Sequence, residues 1–408
     1  MGFPNKLPFI LDGGTGTNLI AAGMPSGVCV EQWILEHPAV LSDLQRSFLA
    51  AGSDAVLAPT FGANRAKLKD YGLQEQVEEI NLRLVALSKN VAASTGALVG
   101  GDMSPTGLLV EPYGDSTFEQ VYETYLEQAR ALKKAGVDFI ALETQMTLSD
   151  LRAGVLAARE VGLPVFASLT VEPNGRTFMG TKFLSALITL QAMGACAVGL
   201  NCSTGPEVMK KLLPEVAPHA CVPLIAKPNA GKPSAEDPTR YELSPELFAE
   251  DMRLLLQSGA RIVGGCCGTG AEHIAALKKV VDEFTPPAPS AQPDCRAAAT
   301  EGDCFFLGDD INLSEPIACS YDLADDLIDV EDEPINVAVV TVQNEDDAAI
   351  LAENAGMARL PLMVSADNAQ ALECALRRFQ GRLLVNSRCE IPFGELNAIA
   401  QKYGAIVF

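Results

Sequence analysis

Three cysteines of this chain have the residue types and spacing of a metal site. Cys266 and Cys267 are adjacent within Gly-Gly-Cys-Cys-Gly-Thr, and Cys202 follows an asparagine about sixty residues earlier. Successive side chains of a regular strand point to opposite faces. We therefore expect Gly265 and Gly268 to supply the unusual backbone angles that bring both sulfurs to one point. Three thiolates on Zn²⁺ would leave one coordination position open, which is typical of a catalytic zinc site.

A site of this kind favours thiol chemistry over activation of water. Thiolates are soft ligands that suit Zn²⁺, and three of them leave the metal with a net charge near −1 and little Lewis acidity. Binding a fourth sulfur would deprotonate an incoming thiol and keep it nucleophilic. This chemistry suits transfer of an alkyl group to a thiol. The alternative interpretation is that the cysteines are small core residues packed beside glycines.

Two carboxylates follow other apolar runs of the chain. Asp12 begins Asp-Gly-Gly-Thr-Gly-Thr, and Glu143 precedes a threonine. Both suit an α-amino group on the thiol substrate, and the backbone N–H groups of the glycine-rich loop suit its α-carboxylate. Alternatively, Asp12 opens an Asp-Gly turn and Glu143 begins a helix. The loop is not a nucleotide-binding signature, and we expect His273 to be structural.

Eight short apolar runs alternate with amphipathic segments over about the first 285 residues. This pattern is typical of βα units with a buried parallel sheet, and eight units predict an α/β fold of the (β/α)8 TIM-barrel type. A doubly wound open sheet is the alternative. In a barrel, the motifs after these runs would gather at the C-terminal face, where such enzymes have their active sites. The runs are Phe9–Leu11, Ala55–Ala58, Ala97–Gly100, Phe139–Leu142, Val165–Leu169, Ala197–Leu200, Leu224–Ala226 and Ile262–Val263.

The rest of the chain is predicted to form a second, partial α/β domain. We place the barrel at residues 1–285, a proline-rich linker at 286–299 and a small acidic domain at 300–408. Between Glu301 and Ala358 there are 16 acidic residues and no Lys or Arg. This domain is either a docking surface for a partner or a solvated remnant that caps the barrel or supports a homo-oligomer.

Composition excludes several classes of function. A net charge of −22 disfavours binding to nucleic acid or to an anionic membrane. Apolar runs stay well short of a membrane span, and the N-terminus does not resemble a secretory signal. We expect a cytoplasmic protein, in which the eleven cysteines are reduced rather than paired in disulfides.

Six motifs, taken in order, resemble the homocysteine S-methyltransferase family. They cover about residues 5–285 and are most similar to the homocysteine-binding barrels of cobalamin-dependent methionine synthases. The motifs are Asp-Gly-Gly-Thr-Gly-Thr, Pro-Thr-Phe-Gly-Ala-Asn, Glu-Thr, Gly-Leu-Asn-Cys-Ser, Lys-Pro-Asn-Ala-Gly and Gly-Gly-Cys-Cys-Gly-Thr.

The resemblance implies a role for each matching residue. It places zinc on Cys202, Cys266 and Cys267, with the homocysteine sulfur as fourth ligand and no catalytic residue beyond the metal site. It also implies that the substrate is held by five residues. Asp12 and Glu143 would bind its amino group and Gly13 would lie near its carboxylate, whereas Thr60 and Asn201 lie in matching motifs.

The tail resembles the start of the pterin-binding barrel of the same synthases, in truncated form. The segment 307–312 stands where that barrel has an Arg-containing opening motif, but it lacks the arginine, and the apolar runs indicate only about four strands. We therefore expect no folate binding. The sequence also lacks an Asp-x-His-x-x-Gly cobalamin motif, so a corrinoid would have to be carried by a partner protein.

These observations predict an enzyme that transfers a methyl group to homocysteine and releases methionine. The expected donor is a methyl-corrinoid on a separate protein. A small donor such as S-methylmethionine or a betaine is the alternative. A protein that binds zinc and homocysteine without catalysis is the alternative from another functional class.

Overall fold

The computed structural model describes residues 3–111, 113–202, 205–234, 236–237, 240–286 and 293–408. The chain divides into two compact units. The first comprises Met1–Phe178, Ala195–Pro218 and Val222–Gln292, and the second comprises Met179–Gly194, His219–Cys221 and Pro293–Phe408. The predicted domain boundaries stay predictions, and residues 287–292 of the predicted linker lie outside the described residues.

Eight parallel strands form a nearly closed barrel, as the sequence predicts. The strand order is β1-β8-β7-β6-β5-β4-β3-β2, and the Asp54 N–H donates to the Ile10 carbonyl across the remaining gap at 2.7 Å. Each of the eight predicted runs overlaps one strand. The strands are β1 Phe9–Ile10, β2 Ala55–Ala58, β3 Leu98–Met103, β4 Phe139–Gln145, β5 Val165–Leu169, β6 Ala197–Asn201, β7 Leu224–Lys227 and β8 Ala260–Val263.

The tail contains a two-stranded antiparallel sheet and a five-stranded parallel sheet with sequential strand order. The sequence predicts only about four strands here. The first three strands of the tail, which are two or three residues long, were not predicted. The strands are β9 Ala297–Ala299, β10 Cys304–Phe306, β11 Ile317–Ala318, β12 Ala338–Thr341, β13 Leu362–Ser365, β14 Leu384–Val385 and β15 Ile406–Val407.

Fifteen α-helices lie within the described residues, and none of them is long and apolar enough to cross a membrane. They are α1 Thr15–Ala21, α2 Val30–Glu36, α3 Pro38–Ala51, α4 Arg65–Leu68, α5 Val77–Ala92, α6 Phe118–Ala135, α7 Leu148–Glu160, α8 Phe183–Ala192, α9 Pro206–Val216, α10 Pro245–Gln257, α11 Ala271–Glu283, α12 Leu323–Asp329, α13 Glu345–Asn354, α14 Ala369–Arg378 and α15 Phe393–Tyr403.

Helix α6 shows how the local sequence sets the bounds of an element. Thr117 and Gln120 form a capping box that satisfies backbone N–H groups at its start. Gly136 ends it with a φ of +79°, a left-handed conformation that glycine adopts without steric cost. Between these caps the helix buries one apolar face, which includes Val121 and Leu132.

The part of the barrel interior farther from the C-terminal face is an apolar layer. Alternate residues of the strands point inward, and ten such residues form one buried cluster. Gly100 belongs to the same layer, because a Cβ there would lie 2.5 Å from the ring of Phe139 and 2.7 Å from Leu57. The cluster is Phe9, Leu11, Ala55, Leu57, Phe139, Ala141, Phe166, Ala197, Ile225 and Ile262.

Truncation of Phe166 tests this layer. Its ring centroid lies 4.7 Å from that of Phe139 and 6.4 Å from that of Phe9. We expect Phe166→Ala to lower the free energy of unfolding by about 3–5 kcal/mol, because a cavity remains among the other rings. Urea unfolding followed by circular dichroism measures the change. Phe178→Ala is the control, since Phe178 is 77% exposed. Equal unfolding midpoints for both variants would contradict this account of the core.

Candidate functional site

The three predicted metal ligands come together at the C-terminal face of the barrel. Cys202 follows β6, and Cys266 and Cys267 lie after β8. Their sulfur atoms all lie within 4.8 Å of one another, and the Sγ atoms of Cys202 and Cys267 are 3.9 Å apart. Each cysteine is half-buried. The site is therefore formed by two strand ends and is open on one side.

Backbone geometry brings the two adjacent cysteines to one point. Gly268 has a φ of +79°, as expected, whereas Gly265 acts differently. A Cβ on Gly265 would lie 2.2 Å from the Thr269 Oγ1 atom, so this glycine allows close packing rather than an unusual backbone angle. Thr269 donates to the Cys266 carbonyl at 2.7 Å, and the Cys267 N–H donates to the Asn229 side chain at 3.0 Å.

The donor set fits a zinc ion. Tetrahedral zinc with Zn–S bonds of about 2.3 Å places two sulfurs about 3.8 Å apart, close to the separation of Cys202 and Cys267. Hydrogen bonds from Cys202 and Cys266 lower the pKa of Cys267 to about 3, whereas the pKa of Cys266 is raised well above its ordinary value by its bonds to the other two thiols. The cluster therefore already stabilises one thiolate, the form that binds a metal.

The loop after β1 is fastened to the loop that carries Cys266 and Cys267. The Gly14 N–H donates to both oxygens of Thr269, at 3.0 and 3.1 Å, and the Gly268 N–H donates to Thr17 at 3.0 Å. A Cβ on Gly14 would lie 2.3 Å from the Cys266 carbonyl oxygen, and one on Gly13 would lie 2.6 Å from the Phe48 ring. The glycines predicted near the substrate carboxylate thus also allow two loops to pack closely.

The two predicted amine-binding carboxylates converge on a lysine that sequence analysis gave no role. The Lys227 Nζ atom lies 2.6 Å from Glu143 Oε1 and 3.7 Å from Asp12 Oδ1, and the lysine side chain is only 2% exposed. Asp12 Oδ2 accepts from the Leu57 N–H at 2.8 Å. The sequence did contain a signal for this role, because Lys227 is a charged residue that directly follows an apolar run.

Burial and charge act in opposite directions on these groups. Burial raises the pKa of Asp12 to about 6, even though Lys227 opposes the shift. Burial lowers the pKa of Lys227, but Glu143 and Asp12 outweigh it and the net shift is upward. Lys227 therefore stays protonated and holds the two carboxylates near it.

Asn201 and Thr60 hold the rim of the barrel in place. The Asn201 Oδ1 atom accepts from the Thr144 N–H at 2.7 Å and from Ser168 at 2.9 Å, and its Nδ2 atom donates to Thr144 Oγ1. That Nδ2 atom also lies 4.0 Å from Cys266 Sγ. The Thr60 hydroxyl donates to the Asp102 carbonyl at 2.8 Å and accepts from its N–H at 3.0 Å. Substrate contacts by either residue stay predictions.

Replacing a proposed zinc ligand tests the cysteine cluster. We expect Cys202→Ala, Cys266→Ala or Cys267→Ala to weaken zinc binding by more than about 100-fold. Loss of an outer-shell partner alone costs roughly 10- to 100-fold, and these residues would be direct ligands. Competition against a chromophoric chelator, with reduced protein, measures the affinity. Cys389→Ala is the matched control, since it removes a half-buried cysteine of the tail. Unchanged affinity in all three site variants would contradict the assignment.

Lys227→Met tests the buried ion pair. The substitution leaves the charges of Glu143 and Asp12 without a cation, and loss of one partner from a buried pair typically costs about 3–5 kcal/mol. Lys210→Met is the control, because Lys210 pairs with Asp251 at 2.7 Å in a more exposed place and should cost about 1 kcal/mol or less. Urea unfolding compares the two, and equal losses would show that burial does not set the strength of the Lys227 pair.

Comparison with known proteins gives curated relatives that align with most of this chain. Methionine synthase of Mycobacterium tuberculosis (strain ATCC 25618 / H37Rv) is 28% identical over 444 residues, covering 97% of this chain and 37% of that protein. Methionine synthase of Mycobacterium leprae (strain TN) is 28% identical over 391 residues, covering 86% of this chain and 32% of that protein. The chain thus spans about a third of the length of these curated relatives.

Solved structures and a family model point the same way. The homocysteine methyltransferase MmuM from Escherichia coli, in its metallated form, is 24% identical with a TM-score of 0.57, over 66% of this chain and 95% of that chain. This likeness shows a shared fold. The model of the family described as "Homocysteine S-methyltransferase" matches residues 9–281, a range that includes all eight barrel strands. The chain belongs to the homocysteine S-methyltransferase family of methyltransferases.

Proposed function

We propose that this chain transfers a methyl group to the thiol of homocysteine and releases methionine. The observation that carries the proposal is the convergence of three cysteine sulfurs within 4.8 Å at the C-terminal face of the barrel. Family membership and the name of the mycobacterial relatives, methionine synthase, support the same reaction.

Cys202, Cys266 and Cys267 would hold a zinc ion at this face. Bound zinc would lower the pKa of the homocysteine thiol, so that sulfur is presented as a nucleophilic thiolate at neutral pH. The chain itself orients the substrate. Asp12 and Glu143 offer carboxylates to the α-ammonium, and the loop at Gly13 approaches the α-carboxylate. These contacts would hold the substrate at its sulfur and at its amine, and would thereby orient it for reaction with the donor.

We propose a methyl-corrinoid held outside this chain as the donor. The sequence contains no Asp-x-His-x-x-Gly motif, and the relatives of which it spans about a third are methionine synthases. Loops after β2, β3, β4 and β5, at the end of the barrel that carries the cysteines, also expose large apolar side chains that a partner protein could cover. These side chains are Phe61, Leu109, Tyr113, Met146 and Phe178.

A methyl-transfer assay tests the reaction and the donor together. Zinc-loaded protein with homocysteine would be offered a methyl-corrinoid protein, methyltetrahydrofolate, S-methylmethionine or a betaine, and methionine would be measured. We expect methionine from the methyl-corrinoid only, and none from the Cys202→Ala variant with any donor. Turnover with a small sulfonium or ammonium donor would contradict the corrinoid proposal. Failure with every donor would contradict the enzymatic proposal.

X-ray absorption at the zinc edge tests how the substrate binds. We expect three sulfur neighbours in the substrate-free protein and four after homocysteine is added, because the open position takes the substrate sulfur. Serine, which has no thiol, is the control ligand and should leave the sulfur number unchanged. A sulfur number that stays at three with saturating homocysteine would contradict the proposed binding mode even if methionine forms.

A further inference from the structure

The barrel interior contains a third carboxylate, Asp102, which the proposed zinc and amine sites do not use. Asp102 lies in β3 two residues after Gly100, which faces the ring of Phe139 inside the barrel. Because side chains alternate along a strand, Asp102 points to the same interior, one layer nearer the C-terminal face. Both backbone groups of Asp102 bond to the Thr60 hydroxyl. Its position is therefore fixed by the main chain.

This layer holds three carboxyl groups, Asp12, Glu143 and Asp102, and one cation, Lys227. Burial and the charge of Glu143 raise the pKa of Asp102 well above its ordinary value, so a further cation is needed to keep this carboxyl ionised. The Lys227 ammonium lies 2.6 Å from Glu143 Oε1, which is a hydrogen-bonding distance. Its distance from Asp12 Oδ1 is 3.7 Å, which is too long for a hydrogen bond. One oxygen of Glu143 is therefore already taken by a cation that belongs to the protein.

Two carboxylate oxygens of the layer have no donor. Within the part of the chain that the structure describes, Asp12 Oδ1 and Asp102 Oδ1 are buried and accept no hydrogen bond. Buried polar atoms of this kind are uncommon and costly, so each calls for an explanation. An ammonium group supplies three donors and a positive charge. The layer therefore lacks one cationic donor group of the type that homocysteine carries.

We propose that Asp102 is a specificity-determining residue that, with Asp12, receives the α-ammonium of the thiol substrate. The proposal rests on the proposed homocysteine methyltransferase function and deepens it. Lys227 occupies one oxygen of Glu143, and Asp102 adds a further carboxylate to those that Asp12 and Glu143 offer to the amine. The site consequently selects α-amino thiols over thiols of the same length that lack the amine.

A second metal ion fits these oxygens less well. Among the described residues, the cysteine cluster is the group in which three possible metal ligands lie within 4.8 Å of one another. The three carboxylates do not converge in this way. A flexible organic ammonium does not require such close convergence, because its three N–H groups point in separate directions.

A comparison of two ligands against two variants tests the proposal. Calorimetry on zinc-loaded protein, without any methyl donor, would give the Kd values of L-homocysteine and of 4-mercaptobutanoate, which lacks only the amine. We expect Asp102→Asn to weaken homocysteine binding by about 10- to 100-fold, as for loss of a hydrogen bond to a charged group. Binding of 4-mercaptobutanoate should change by less than about twofold. Asp102→Ser is a second variant in case Asp102→Asn does not fold.

Glu31→Gln is the matched control. Glu31 is another buried carboxyl side chain, but its Oε1 atom already accepts from the Gly62 N–H at 2.7 Å. Its substitution should leave the ratio of the two Kd values unchanged. An unchanged ratio in Asp102→Asn and Asp102→Ser, with homocysteine still bound by the wild type, would overturn the role of Asp102 alone. No binding of homocysteine by the wild type would instead overturn the proposed function and this inference with it.

Discussion

The interior of the barrel changes from apolar to charged over one step of side-chain alternation, and the site depends on this boundary. Ala141 is followed on the same face by Glu143, and Ile225 by Lys227. Because all eight strands are parallel and sequential, their C-terminal ends gather at one face. The apolar layer thus lies beneath a layer of charged side chains, and the cysteines lie beyond the C-terminal ends of the strands.

A charged layer inside a barrel is stable only if its charges are paired. Removing an ammonium or a carboxylate from water costs several kcal/mol, and attraction offsets this cost only with close geometry. The 2.6 Å contact of Lys227 with Glu143 meets that condition. Asp12, by contrast, is incompletely paired, because its Oδ1 atom accepts no hydrogen bond. This leaves an acceptor for a substrate amine, which would be missing if the protein itself paired every buried carboxylate. We infer that folding and substrate binding use the same group of charges.

Backbone strain at the rim is held by one side chain. Thr144 and Cys202, with φ values of +59° and +60°, are the non-glycine residues with positive φ among those described. Such conformations cost about 1–3 kcal/mol each and persist where surrounding contacts enforce them. Asn201 precedes Cys202 and bonds to both the N–H and the hydroxyl of Thr144. One asparagine therefore links the strained residue that bears a sulfur to the strained residue next to Glu143.

The sequence predicted the barrel and the cysteine cluster because both leave local signals. Buried parallel strands are continuous apolar runs, and adjacent cysteines between glycines require special geometry. The pairing of Lys227 with Glu143 leaves no such signal, since the two residues are 84 positions apart. Their contact depends on the inward register of β4 and β7, and a shift of one residue in either strand would turn a side chain out of the barrel. The sequence therefore does not show which residue pairs with a single charge at the end of an apolar strand. The partner becomes evident only when the strands are placed next to one another in the barrel.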